Sequence, residues 1–337
     1  MTRTFIGLII TSTLCFAGIS WAQDTTPPLP NPTIGDTDLP KTDTSITTLP
    51  NGTPIAPCIA PIEGMSCIPG GKFLRGSNDD KHNLTCKQPS NNDHHVSNTY
   101  PQAEIWLQTY YMDKTEVTNA AYKACVKAGK CVKSGPKYVD FDRPKQPITG
   151  ISWYEANDFC KAQGKHLPTE AEWEKAARGA QGDMYPWGNG PISCDNAVIM
   201  NEKGRSCGQK KEKGKNPDTG RVLEVCSRGA FRYDLCDMVG NAEEWVADWY
   251  SKSYESCGKD CKGIDPKGPC HGDDGKKCGS THAKVVRGGA WYWPEDHATG
   301  IHRRSHLATN NPGHHFGFRC AASVEEMEKL TRKSPTH

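Results

Sequence analysis

The sequence lacks a surplus of charge of either sign. Its 337 residues carry 41 Lys and Arg against 39 Asp and Glu, for a net charge of +2. Binding to nucleic acid or to an anionic membrane surface relies on a basic field. The composition therefore predicts no nucleic-acid partner and no membrane-surface partner. The one basic run, residues 203–215 (KGRSCGQKKEKGK), is predicted to be a solvated loop.

Long apolar runs are absent after the first 22 residues. Arg3 precedes a mostly apolar stretch at residues 5–19, which is short for a bilayer span, and residues 20–22 (SWA) supply a small-x-small cleavage site. These features predict a secretory signal peptide over residues 1–22, with an uncleaved anchor as the alternative. After cleavage we expect an exported monomer, periplasmic or extracellular in a bacterium, with no membrane attachment.

The sixteen cysteines include no C-x-x-C pair. This spacing disfavours structural zinc, and an exported chain rich in cysteine is expected to form disulfides. Removal of Cys15 with the signal peptide leaves an odd number, so one thiol has no partner in the chain, and Cys86 or Cys58 is the candidate. Short separations predict five local bridges: Cys125–Cys131, Cys194–Cys207, Cys226–Cys236, Cys257–Cys261 and Cys270–Cys278.

The composition divides the chain into four parts. Residues 23–57 are rich in Pro, Thr and Asp and nearly free of aromatics, which predicts a disordered linker after the signal peptide. Residues 58–323 have the composition of one globular domain, and residues 324–337 form a polar tail that is expected to be at most a short frayed helix.

Three short helices are predicted inside the domain from their capping residues. Thr118, Ser152 and Thr169 are candidate N-caps, and the latter two have a Glu three residues later, as a capping box requires. Glycines at 129, 164 and 179 are expected to end these helices. After residue 180 the sequence predicts loops and short strands.

Seven motifs then indicate a family. They are GGKFLRGS (70–77), MDKTEVTNAAY (112–122), PITGISWYEANDFCKAQGKHLPTEAEWEKAARG (147–179), YPWGN (185–189), DMVGNAEEWVADWY (237–250), VVRGGAWY (285–292) and GFRCA (317–321). Together they resemble the formylglycine-generating enzyme, or sulfatase-modifying factor, family over nearly the whole globular part.

The resemblance implies an α+β fold, an irregular variant of the C-type-lectin-like fold with little regular secondary structure, stabilised by disulfides and calcium. It also implies a chemistry, because enzymes of this family oxidise a peptide cysteine to formylglycine with oxygen and Cu(I). In those enzymes two cysteines five positions apart hold the copper, between the Arg-Gly-Gly and Gly-Phe-Arg-Cys motifs.

The copper-binding positions are not cysteines in this chain. Counting from the Arg-Gly-Gly motif at 287–289 puts the first at Trp293, and counting back from Arg303 puts the second near Thr299. Indole and hydroxyl groups offer Cu(I) no soft donor. We therefore expect no copper centre and no ordinary copper-oxidase chemistry.

The same stretch carries a different set of side chains. Asp296, His297, His302 and His306 lie close together in sequence, and a further histidine pair follows at 314–315. Two histidines and a carboxylate can hold iron, so a redox metal site is one interpretation. The other is that these residues form ordinary hydrogen bonds on a surface loop.

Residues 291–293 form an aromatic run (WYW) that can line a groove for a peptide, protein or glycan ligand. Core packing is expected for Trp291. For Trp293 the groove and the core remain equally open interpretations.

The resemblance also implies a calcium site with two acidic side chains and two backbone carbonyls, all hard oxygen donors. The matching residues are Asp237, Gly240, Ala242 and Glu244. The alternative is that both acids are simply solvated.

A second family calcium site would use Asn196 and Ala197, but its partner acid is not evident because the segment around Asp218 is rearranged. The resemblance further pairs Cys160 with Cys320, whereas a second common family bridge is missing because its positions are Ala177 and Arg304.

Three functions remain open. The first is an exported binding or structural protein on this scaffold, since a fold can remain after its site is lost. The second is a family oxidoreductase that acts in oxidative maturation of a peptide or protein with an altered metal site. The third is a genuine formylglycine-generating oxidase with displaced cysteines.

Overall fold

The structure, a computed structural model, describes residues 46–78, 98–215, 219–273, 277–309 and 313–333. The predicted signal peptide lies outside these ranges. The strands are β1 Met65–Ile68, β2 Gly71–Arg75, β3 Ala103–Leu107, β4 Tyr110–Asp113, β5 Glu243–Trp249, β6 Gly263–Ile264, β7 Ala283–Arg287, β8 Arg303–Leu307, β9 Phe316–Gly317 and β10 Ala321–Ser323. The helices are α1 Asn119–Lys127, α2 Trp153–Ala162, α3 Glu170–Arg178, α4 Tyr254–Cys257 and α5 Val324–Lys333.

The three predicted helices are confirmed with their caps. Thr118 caps α1, and both Ser152 and Thr169 form complete capping boxes at the starts of α2 and α3. The glycines at 129, 164 and 179 follow these helices with positive φ values of 69°, 73° and 69°. Local side-chain chemistry was thus sufficient to fix where these helices begin and end.

The strands form three small sheets, in the orders β1-β4-β10, β2-β3-β6 and β8-β7-β5-β9. Most neighbours are antiparallel, while β6 and β9 pair in parallel with β3 and β5. Helices α2 and α3 pack on the four-stranded sheet through tryptophans, with Trp153 donating to the carbonyl of Val246 at 2.7 Å and Trp173 fully buried. Short strands and long loops make the fold irregular, as expected.

A buried ion network ties α3 to β7 and β8. Arg287 donates to Glu170 at 3.1 Å and to Glu174 at 2.7 Å. Arg303 donates to both oxygens of Glu170, at 2.7 and 2.9 Å. Removing one partner of a buried ion pair lowers the stability of the fold by about 3–5 kcal/mol, because the other charge is left uncompensated. The network therefore fixes both ends of the segment between the two strands, residues 288–302.

Disulfides replace long ladders of hydrogen bonds in the loops. All five predicted local bridges form. Cys160 on α2 joins Cys320 before β10, with the Cα atoms 5.6 Å apart. The expectation that Cys58 is a candidate free thiol is wrong, because Cys58 pairs with Cys67 across nine residues. Cys86 lies outside the described residues.

The positions of the missing family bridge have other partners. Ala177 is buried in the core beneath β2 and β3. Arg304 forms an ion pair with Glu243 at 2.8 Å. Ala177 therefore contributes to core packing and Arg304 to an ion pair, in place of the family bridge.

Both ends of the globular region extend beyond the boundaries that composition predicts. Within residues 46–57, Leu49 is 4% exposed, and Gln108 donates to the carbonyl of Pro54 at 3.0 Å. At the other end, Met327 of α5 is fully buried, and His166 contacts Glu326 at 2.7 Å. A few apolar side chains in each polar segment are enough to anchor it.

None of the helices in the described ranges combines the length and the apolar character that a membrane crossing requires.

Candidate functional site

The Arg-Gly-Gly turn after β7 positions the aromatic run. Gly288 and Gly289 have positive φ values of 90° and 67°, and a Cβ atom on Gly289 would lie 2.4 Å from the carbonyl oxygen of His297. Glycine is required for this close approach. The chain then passes through residues 291–293 and a 3₁₀ turn at Glu295–His297 before it enters β8.

The two tryptophans of the run have different environments. Trp291 is 1% exposed, and its ring lies 5.5 Å from that of Phe141, so its predicted place in the core is confirmed. Trp293 is only partly buried and lies at the edge of the same cluster. Its ring stacks on His297, with 5.2 Å between ring centroids and 16° between the planes.

The copper positions do not fit Cu(I). The hydroxyl of Thr299 is buried and accepts a hydrogen bond from the backbone N–H of His302 at 3.0 Å, and position 293 offers an indole. Within the described residues every cysteine belongs to one of seven disulfides, so none of them presents a thiolate. A soft ion that prefers two thiolates finds no match in these donors.

An acid and two histidines follow one another beside Trp293. Asp296 Oδ1 lies 2.8 Å from His297 Nδ1, and the rings of His297 and His302 are 5.0 Å apart. His302 is 8% exposed. Burial lowers the pKa of His302 well below its usual value, and the charges of His297 and Arg304 lower it further. His302 is therefore neutral at pH 7.

The fourth proposed iron ligand has different neighbours. His306 on β8 packs against Phe316 and Trp245, with ring centroids 4.4 and 5.9 Å away. Across the part of the chain that the structure describes, no group of three or more His, Cys, Asp or Glu side chains is arranged to hold a metal ion. The four proposed ligands are thus not gathered into one set.

Glu243 lies at the centre of the region, although it was not among the predicted site residues. Its buried carboxylate accepts from Arg304 at 2.8 Å through Oε1, while Oε2 lies 3.7 Å from His315 Nε2. Burial raises the pKa of Glu243, and Arg304 and the Trp293 indole oppose this effect. The Arg304 guanidinium also lies 4.8 Å from the Trp293 ring centroid.

Unpaired buried polar atoms are concentrated here. Of the thirteen buried side-chain nitrogen and oxygen atoms in the described ranges that lack a hydrogen-bond partner, five belong to this region. Leaving such an atom unpaired costs about 1–3 kcal/mol. We call the residues that carry them the Trp293 cluster: Glu243, Trp293, His302, His314 and His315.

The Trp293 cluster can both donate and accept hydrogen bonds. The indole donates, the carboxylate accepts, and a neutral imidazole does both. Burial, together with nearby positive charge, lowers the pKa of His314 to about 4 and that of His315 to about 3. The Trp293 indole is close enough to the Glu243 carboxylate to lower its pKa by hydrogen bonding, so the positions that stay unfilled at neutral pH are the imidazole nitrogens of His302, His314 and His315.

The proposed calcium ligands lie in a separate buried pocket of charge. Asp237 is 7% exposed and Glu244 is fully buried, so the alternative that these acids are simply solvated is wrong. Glu244 accepts three hydrogen bonds from Arg319 and one from Trp173. Asp237 accepts from the backbone N–H of Cys226.

A third carboxylate, that of Glu116, lies beside this pair. Burial and the charge of Asp237 raise the pKa of Glu116 well above its usual value, and Glu116 Oε2 is buried without a hydrogen-bond partner. One guanidinium, Arg319, thus faces three carboxylates. Carboxylate oxygens are the donors that Ca²⁺ prefers, but Arg319 and Trp173 already donate to both oxygens of Glu244, and these acids do not form a metal-holding group among the described residues.

The second calcium site has less support. Asn196 is engaged in its own turn, where its Oδ1 accepts from the N–H of Ser193 at 2.8 Å. The carbonyl oxygen of Ala197 lies 3.4 Å from the sulfur of Cys207. Asp218 lies outside the described residues, so this site stays a prediction.

Comparison with known proteins agrees with the motifs. The model of the sulfatase-modifying factor enzyme 1-like domain matches residues 53–324. A formylglycine-generating enzyme from Thermomonospora curvata is 33% identical over 198 residues, covering 56% of this chain and 59% of the relative. The formylglycine-generating enzyme of Bos taurus is 27% identical over 329 residues, covering 81% of this chain and 77% of the relative.

A serine/threonine-protein kinase, pkn1 of Chlamydia caviae, is 30% identical over 285 residues. The match covers 77% of this chain, but the chain spans only 38% of the length of that relative.

Two solved structures share the fold. PvdO from Pseudomonas aeruginosa superposes with a TM-score of 0.54 at 21% identity, covering 77% of this chain and 94% of that chain. Treponema denticola variable protein 1 superposes with a TM-score of 0.55 at 20% identity, with the same coverage.

Proposed function

This chain belongs to the sulfatase-modifying factor family, and from that premise we propose that it is an exported, ligand-binding member rather than a copper oxidase. In this proposal the Trp293 cluster takes the place of the copper centre and holds a ligand through hydrogen bonds. The disulfides support export, since they persist in oxidising compartments.

The concentration of unpaired polar atoms in the Trp293 cluster is the observation that carries the proposal. Native proteins leave few buried polar atoms unsatisfied, so a local group of them indicates a partner such as ordered water or a bound ligand. Thr299 and Trp293 supply no thiolate, which leaves the position without the donors that oxygen activation at Cu(I) requires.

Calcium is proposed as a structural ion at Asp237 and Glu244. When bound there it would supply positive charge that balances the three carboxylates around Arg319. This ion would have a structural role that differs from the ligand-binding role of the Trp293 cluster. Glu244 and Arg319 join β5 to the segment before β10 and do not line the aromatic run.

The family oxidoreductase with an altered metal site is the alternative. It would require His297, His302 and His306 to meet at one metal ion, and the contacts of His306 with Phe316 and Trp245 do not favour that arrangement.

The test is metal analysis and native mass spectrometry of protein that is purified from the periplasm without chelators. We expect calcium and a retained small molecule, with neither copper nor iron at stoichiometric level. Glu243→Gln and His302→Ala should lose the small molecule. Stoichiometric iron that disappears in His302→Ala would support the oxidoreductase and overturn the binding proposal.

A further inference from the structure

Two cations beside the Trp293 cluster have no acidic partner among the residues that the structure describes. Arg205 lies over the ring of Tyr292, with the guanidinium carbon 3.6 Å from the ring centroid. Lys211 lies 5.8 Å from the ring centroid of Phe141. Neither residue forms an ion pair or a side-chain hydrogen bond within the described part of the chain. Both belong to the basic run, residues 203–215, which was predicted to be a solvated loop.

The position of Arg205 is fixed by its neighbours. Ser206 donates its backbone N–H to the carbonyl of Trp291 at 2.9 Å, and its hydroxyl donates to the carbonyl of Arg221 at 2.6 Å. Cys207 is tied to Cys194. The guanidinium is therefore held against the aromatic run, although Arg205 belongs to a loop.

Lys211 is positioned by the residue that follows it. Glu212 donates its backbone N–H to Asp140 at 2.8 Å, and its carboxylate pairs with Arg143 at 2.6 Å and Arg221 at 3.1 Å. The only acid adjacent to Lys211 in sequence is thus directed to other cations. This leaves the Lys211 charge uncompensated.

The rings that the two cations contact, Phe141 and Tyr292, both adjoin the imidazole of His314. His314 feels the positive charges of both Lys211 and Arg205. Its ring lies 5.5 Å from the ring of Tyr292 and 4.5 Å from that of Tyr138, which is 43% exposed. Aromatic walls and two unpaired cations therefore surround one partly open position.

We propose that Arg205, Lys211 and His314 form a subsite for the oxyanion of a small organic acid, with Tyr292 and Tyr138 as walls for its organic part. Arg binds a carboxylate or phosphate through two parallel N–H donors, and Lys adds a point charge. A cation that stacks on a ring keeps its edge free for such an anion. This inference rests on the proposed function and names the ligand class of that same region.

The geometry argues against a cationic or neutral ligand. Arg304, the third cation of the region, is paired with Glu243, and Asp296 is engaged with His297. Within the described ranges, the charges at this position that lack an opposite partner are thus positive. A neutral ligand would leave both cations without an opposite charge, whereas an anion would neutralise them.

The experiment is isothermal titration calorimetry with a matched set of probes. Benzoate, phenyl phosphate and inorganic phosphate are titrated into the full chain, with benzamide as the neutral counterpart of benzoate. The variants are Arg205→Gln, Lys211→Gln and Arg205→Lys. Lys213→Gln is the control, because it removes the same charge from an exposed residue of the same loop.

We expect benzoate and phenyl phosphate to bind, and benzamide to bind at least about tenfold more weakly, as the loss of a charge-assisted contact predicts. Arg205→Gln and Lys211→Gln should each weaken benzoate binding by about tenfold. Arg205→Lys should recover part of the loss and Lys213→Gln should change nothing. Binding of inorganic phosphate as tight as that of phenyl phosphate would show that the aromatic walls contribute nothing and would overturn that part of the proposal.

Equal binding of benzoate and benzamide, or binding that is unaffected in both glutamine variants, would overturn the oxyanion subsite. Failure of every probe to bind would overturn it as well. None of these results decides whether the Trp293 cluster retains a small molecule, which native mass spectrometry measures separately, so the two failures are distinguishable.

Discussion

Arg319 donates hydrogen bonds to both oxygens of the Glu244 carboxylate, at 2.7 and 2.8 Å. The pair joins β5 to the segment that leads into β10, and both side chains are fully buried. Burial raises the pKa of the neighbouring Asp237, and Arg319 only partly opposes this effect. A cation bound beside Asp237, as we propose for Ca²⁺, would complete the charge compensation that Arg319 supplies only in part.

Removal of calcium is predicted to destabilise the domain. A ligand that binds only the native state stabilises it by about 2.7 kcal/mol at a hundredfold excess over Kd. Addition of EGTA should therefore lower the Tm measured by differential scanning calorimetry. Asp237→Ala should start from a lower Tm and no longer respond to EGTA. A wild-type Tm that is the same with and without chelator would contradict the calcium site.

Loss of the Cys160–Cys320 disulfide is predicted to cost more than loss of a local bridge. The two residues are 160 positions apart, against four for Cys257 and Cys261. In the chain-entropy model the longer loop corresponds to about 5 kcal/mol and the shorter to about 2 kcal/mol. Urea unfolding of the two paired Cys→Ala variants measures the difference. Equal destabilisation would show that the long bridge does not act through loop closure.

Helix α5 is predicted to be held by a charged histidine. Burial alone would lower the pKa of His166, but Glu172 and Glu326 outweigh it and raise the pKa to about 10. A raised native pKa means that the stabilisation is fully present below about pH 6.5 and is lost as pH rises towards about 10. The Tm of the wild type should therefore fall over this window relative to that of His166→Gln.

The matched control for this effect is Lys329→Gln, which removes an exposed ion pair with Glu325 on the same helix. Exposed pairs contribute little to stability. Its Tm should follow the pH dependence of the wild type. If His166→Gln also follows the wild type, the His166 contact does not hold α5.

Binding of an organic anion is predicted to be tighter at lower pH. Burial lowers the pKa of His314 to about 4, and Lys211 and Arg205 contribute to this effect; His315, 5.2 Å away, also faces this ring. An anion that neutralises the two cations raises the pKa of His314, so binding takes up a proton. The Kd for benzoate should fall between pH 7 and pH 5, and His314→Gln should reduce this dependence. A Kd that is constant over this range would contradict the coupling.

Local sequence signals predicted the helices and most of the bridges. The caps at Ser152 and Thr169 depend only on neighbouring residues, and the short cysteine separations leave few alternative partners. The Cys58–Cys67 bridge was not predicted, because the sequence alone could not decide whether Cys58 or Cys86 is the unpaired thiol. The boundaries at residues 58 and 324 were less successful, since one buried side chain such as Met327 is enough to anchor a polar segment.

The candidate site was predicted only in part. Trp293, His297 and His302 do come together, because the Arg-Gly-Gly turn and β8 hold the ends of one short segment. Glu243 and Arg205 reach the same place from distant parts of the chain, and no local pattern reveals such contacts. The first acid of the EEW triplet in the DMVGNAEEW motif was the available signal for Glu243, but a buried carboxylate cannot be distinguished from a solvated one by sequence.

The most direct test of the account is an assay for copper-oxidase chemistry. Purified protein is incubated with Cu(I), oxygen and a peptide that carries Cys-x-Pro-x-Arg, and mass spectrometry follows loss of the thiol and gain of the aldehyde. Because positions 293 and 299 are Trp and Thr, the account predicts no aldehyde above a metal-free control and no tight binding of Cu(I). Copper-dependent turnover would contradict it and would show that a displaced pair of thiolates exists.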